Sequence, residues 1–135
     1  MATVHGHGLP TPTEYLRDAA NTYAGGAAAL GDLMALPQPP TAVVAPTDVL
    51  AMGMLHEAHQ RGLRVPDDLS ISGFDDIPGA AYTVPALTTV RMPTDAMVLA
   101  AVDLAIGRDE VLGDFHPLLE PDLVVRESTG PAPAR

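Results

Sequence analysis

The chain has 135 residues, 47% of them hydrophobic, which fits one domain with a modest core and leaves no room for two full domains. Seventeen Asp and Glu oppose seven arginines, with no lysine, and the net charge of -10 excludes a basic stripe for phosphate backbones, so this segment is not expected to bind DNA by itself. Cysteine is absent, which excludes a disulfide framework and a thiolate metal site. No apolar run approaches the roughly 20 residues of a membrane span. The start, MATVHGHGLPTP, lacks the basic and apolar regions of a signal peptide, so a soluble cytoplasmic protein is the expectation.

Residues 14–20 read as a short strand or a loop, and Thr22 opens an alanine-rich helix that runs to Leu36, with Gly25 and Gly26 weakening its first turn. Pro37, Pro39 and Pro40 end it. The run TAVVA at 41–45 has the β-branched, apolar pattern of a strand buried on both faces. A helix over about 47–62 follows, with Thr47 as N-cap, Asp48 well placed in the first turn and Gly62 at the C-terminal cap. Leu50, Ala51, Met54, Leu55 and Ala58 form its buried stripe, and Val49, Met52, His56 and His59 lie off it. Residues 69–72 are the next strand, so strand, helix and strand make a βαβ unit in a parallel sheet. Residues 88–91 are extended, and a helix from Pro93 to about Ile106 shows Met97, Val98, Ala101, Leu104 and Ala105 on one face. A last strand covers 123–126, and the Pro/Ala-rich tail is expected to be disordered.

The strand at 69–72 stops abruptly in Gly73-Phe74-Asp75-Asp76, the way an α/β sheet presents polar groups to a ligand at the carboxyl ends of its strands. Asp76 reads as a turn residue capping local amides. Catalytic parts are lacking: no Cys nucleophile, no G-x-S-x-G elbow, no phosphate-cradling glycine loop and no H-E-x-x-H. Adjacent side chains at a strand end diverge, so Asp75 and Asp76 make a poor acid–base pair, and no enzyme is expected. His56 and His59 stand at i, i+3 without a third ligand, so neither a metal nor another cofactor is expected.

The order Pro40-Thr41-Ala42-Val43-Val44-Ala45, then Asp48, Ala51 and Gly53, then Gly62 to Asp68, Gly73-Phe74-Asp75-Asp76, Leu87-Thr88-Thr89-Val90 and Leu123 to Thr129 resembles the sugar-responsive LacI/GalR family of bacterial transcription regulators. The resemblance implies an α/β fold: part of a type I periplasmic-binding-protein-like subdomain, a parallel sheet flanked by helices. Residues 1–129 would be a truncated effector-binding domain, with the helix at about 93–106 packing in the other subdomain and 130–135 a disordered tail. It further implies a non-enzymatic sensor of a small-molecule effector, a sugar, that meets operator DNA only through an N-terminal helix-turn-helix lying outside this chain. His7-Gly8-Leu9-Pro10 resembles the loop after a helix that would precede Met1. A sugar-binding protein of a transport system on the same fold is the alternative.

The resemblance also marks residues. Asp75 stands where the family has an effector-contacting carboxylate; a turn role and ligand contact both remain open for it. Thr47 stands where the family has an effector-bonding asparagine; N-capping and ligand contact both remain open for it. Asn21 stands where some relatives stack an aromatic ring, which an amide cannot do, so a loop role competes with ligand binding there. The homodimer interface of the family implies Met52, His56 and Tyr82. A sheet without its opening strand, and a 93–106 helix without its partner surface, would leave the chain marginally stable or self-associating.

Overall fold

The computed structural model describes residues 12–106 and 119–133. The histidines at 5 and 7 and the loop resemblance at 7–10 lie outside the described residues. Between Thr13 and Tyr15 the chain makes a short 3-10 turn and then runs on irregularly, so of the strand and the loop it is the loop that forms. Helix α1 (Tyr23–Met34) is capped by Thr22, whose hydroxyl accepts from Gly25 N–H at 3.0 Å. Strand β1 (Ala42–Val44) leads into α2 (Asp48–Gln60), capped by Thr47, which accepts from Leu50 N–H at 3.3 Å. The far end of α2 closes with Gly62 at φ 71°: its amide donates to His59 O and that of Leu63 to Ala58 O, which satisfies the last carbonyls.

The βαβ unit is completed by β2 (Ser70–Ser72), parallel to β1 with Val43 opposite Ile71. A parallel bridge from Ser72 to Thr88 carries the sheet on to β3 (Thr89–Arg91), and β3 pairs antiparallel with β4 (Asp122–Val124), Val90 opposite Leu123. Helix α3 (Thr94–Ala105) lies in sequence between β3 and β4 and buries none of its residues. After β4 the chain runs on to bond with β2 at Ile71 and with Ala86 ahead of β3. Ser128 sits wholly buried at the amino ends of β2 and β3, its hydroxyl donating to Ile71 O and accepting from Thr88 N–H. The tail is therefore anchored at its start, where Gly130 N–H donates to Ser70 Oγ at 3.1 Å.

The core lies between α1, α2 and the sheet, with Leu30, Ala51, Ala58, Leu69, Ile71 and Leu87 fully or almost fully buried. The stripe expected on α2 is buried as a set. One expectation fails for a physical reason. Strand β1 is not buried on both faces: Ala42 and Val44 are exposed, because β1 is an edge strand with a hydrogen-bonded neighbour on one side only among the described residues. Gly26, a weak helix former, also lets α1 touch α2, since a Cβ there would lie 2.1 Å from Leu50 O and one at Gly53 2.0 Å from Tyr23 O. The two helices meet backbone to backbone.

Candidate functional site

Beyond their ends, β1 and β2 stay joined. Ala45 N–H donates to Ser72 O at 2.9 Å and Asp48 N–H to Phe74 O at 2.7 Å, so Thr47 and Asp75 each stand one residue from a bond that ties the two outgoing segments together. This is the carboxyl edge of the parallel pair, the position at which open α/β sheets bind ligands.

Asp48 builds the edge from within. It is fully buried, takes the Thr89 hydroxyl on Oδ1 at 2.5 Å and takes the Ile77 amide on Oδ2 at 2.9 Å, joining the first turn of α2 to β3 and to the loop after β2. Gly73 makes this approach feasible, because a Cβ there would lie 2.2 Å from Asp48 Oδ1. In the sequence Asp48 is legible only as an acid in a helix's first turn. Its partners are 29 and 41 positions away, a relation that no local pattern encodes.

Asp75 and Asp76 carry φ values of 115° and 53°, in the left-handed half of the backbone map that non-glycine residues avoid. Asp76 is not the local amide cap expected of it. Its carboxylate is largely buried between two arginines, Arg126 Nη2 on Oδ1 and Arg91 Nε on Oδ2, both at 2.6 Å. Burial alone would raise this carboxyl, but the hydrogen bonds and charges of Arg126 and Arg91 outweigh it and hold the group below the usual carboxylate range. The Asp75 carboxyl moves the other way, raised by desolvation and then by the negative charge of Asp48. It is the exposed member of the pair, and among the described residues no side chain or amide hydrogen-bonds it.

Asn21 and Thr47 come together at the same edge. The Thr47 hydroxyl, while capping α2, donates to Asn21 Oδ1 at 2.6 Å, which directs the amide hydrogens of Asn21 away from that bond. Those hydrogens find no protein acceptor among the described residues. The edge thus offers an unpartnered acceptor at Asp75 and an unpartnered donor at Asn21, while the N-termini of α1 and α2 open beside them.

A second surface lies around α2. Tyr23, Met52, Gly53, His56 and Thr83 line an open depression of about 520 Å³, and Met52 packs against Gly79 in the 3-10 turn Pro78–Tyr82. Tyr82, which ends that turn, and Val84 just after it in sequence are 86% and 95% exposed. No group of three His, Asp or Glu residues suited to a metal occurs among the described residues.

Residues 2–129 match the family described as a periplasmic binding protein-like domain, a class that agrees with this α/β fold. The repressor CytR of Escherichia coli K12 is 36% identical over 128 residues, 93% of this chain and 38% of that protein. The regulator MalR of Streptomyces coelicolor is 44% identical over 124 residues, 89% of this chain and 35% of that protein. A LacI family regulator from Lactobacillus casei, solved with bound sucrose, superimposes with a TM-score of 0.80 at 30% identity, over 95% of this chain and 48% of that one. The chain belongs to the LacI family of transcription regulators, as part of their effector-binding domain. It spans little more than a third of the length of the two curated relatives.

Proposed function

We propose that this chain is the ligand-sensing part of a LacI-type regulator and that its carboxyl edge binds a neutral, sugar-like molecule. The observation that carries this is the pair of unpartnered groups on one edge, the Asp75 carboxylate and the Asn21 amide. Sugar hydroxyls both donate and accept. An ionised carboxylate gives them strong charge-assisted bonds, and an amide supplies the complementary donor. Thr47 serves as helix cap and as the support that orients Asn21. The regulators among the relatives, one of them holding sucrose, favour this reading over a transport protein on the same fold.

In the whole regulator, ligand and operator would act on one conformational equilibrium. A ligand shifts that equilibrium only by contacting its conformations differently, so the edge works by fitting one of them better. DNA contact belongs to another part of the polypeptide, since an acidic chain repels phosphates. Two copies would pair through the face of Met52, His56 and Tyr82, in the cytoplasm where the operator is. The reading is tested by thermal shift of the chain joined to the rest of such a regulator against neutral mono- and disaccharides, sucrose included. A saturable rise in Tm with at least one of them is expected; no response across the panel overturns it.

A further inference from the structure

Two successive aspartates in the left-handed region do not hold themselves there. The cost of each is of the order of a weak interaction and must be met by the surroundings. Asp75 has no side-chain bond of its own among the described residues; its one fixed point is its amide, which donates to Val90 O at 2.9 Å. Asp76 is the opposite case. Both of its carboxylate oxygens are held, and the arginines holding them are themselves placed. Arg126 also donates through Nη1 to Leu87 O at 2.8 Å, and its amide donates to Thr88 Oγ1 at 2.9 Å, so the guanidinium is seated against the start of β3. Arg91 ends β3 itself, immediately after the carbonyl that receives the Asp75 amide.

We propose that Asp76, gripped by Arg126 and Arg91, is the positioning residue that fixes Asp75 at the ligand edge. The clamp holds the backbone turn from which the Asp75 carboxylate projects, without touching the ligand. It also ties that turn to the end of β3 at Arg91 and to the segment just after β4 at Arg126. A shift of Arg91 or Arg126 with those segments would therefore be delivered to Asp75, and a ligand held by Asp75 would resist it. Regulation of the site through this route rests on Asp75 being the ligand contact; the positioning role does not.

For that reason the test uses the chain joined to the rest of such a regulator, with no ligand added. Amide hydrogen exchange by NMR is compared between wild type and Asp76→Asn, which keeps the shape and removes the charge. The Asp75 amide is expected to lose protection by about tenfold or more, while the Ala45 and Ser70 amides, which join the β1 and β2 segments through Ser72 O and Thr41 O, stay within about twofold. Uniform acceleration of all three would mean that Asp76 supports the scaffold only, and an unchanged Asp75 amide would mean that the clamp does not position it; either result overturns the proposal. Should Asp76→Asn fail to fold, Arg91→Gln removes one grip from an exposed side chain, and the same selective loss at Asp75, smaller in size, is expected there. Its absence overturns the proposal equally.

Discussion

Asp48, Asp75 and Asp76 stand within one small region and carry three different tasks, set by what surrounds each carboxylate. Asp48 is buried and satisfied by a hydroxyl and an amide; Asp76 is buried against two guanidinium groups; Asp75 faces outward with neither. The pH dependence of stability follows from the shifts. A carboxyl held below its ordinary value of 3.8, as at Asp76, contributes stability that is complete above the unfolded value and is lost as pH falls through the folded one. Asp75, raised instead, contributes stability that is complete below 3.8 and is lost as pH rises through its folded value. Wild-type unfolding midpoints are therefore expected to fall on acidification below 3.8, and Asp76→Asn to flatten that decline. Denaturant midpoints measured across acidic pH check this; parallel curves for the two proteins would contradict it.

At the scale of elements, the helix pair and the sheet edge differ in how far local sequence specifies them. Both helix starts, the Gly62 stop, the βαβ order and the buried stripe of α2 are legible because caps and periodicity are local signals. Gly26 and Gly53 are not legible in the same way. Helix propensity counts a glycine as a weakness, whereas here the missing Cβ permits contact between α1 and α2. Gly53→Ala is expected to destabilise by about 1–3 kcal/mol through forced separation of the helices, opposite in sign to the gain that propensity predicts. Thermal or urea unfolding decides between the two signs. The site shows the same division: Asp75, Thr47 and Asn21 are marked by motif and position, while Asp48, Arg91 and Arg126 act through contacts 15 to 50 residues apart that only the fold creates.

At the scale of the molecule, the described residues leave apolar surface open at several places, among them the β1 edge at Val44, 81% exposed, helix α3 and the surface around Tyr82. Helix α3 alone exposes Met97, Val98, Leu99, Val102, Leu104 and Ile106. Open strand edges and apolar faces favour association, and a chain of this size has little stability in reserve. The isolated chain is expected to self-associate in sedimentation velocity. If the face of Met52 and His56 mediates this, Met52→Glu disperses the oligomer; if the β1 edge or α3 does, it leaves the oligomer intact. A compact monomer at every concentration would contradict the expectation.

The central claim, that the carboxyl edge is a ligand site organised around Asp75, is tested most directly by calorimetric titration of a saccharide found in the thermal screen. The protein is this chain joined to the rest of its regulator, as wild type and as Asp75→Ala. Losing a charge-assisted contact is expected to weaken binding by about 1.5–3 kcal/mol, that is by tenfold or more, with both proteins folded. Equal affinity of the two proteins would show that the ligand, wherever it binds, does not use Asp75, and would contradict the account.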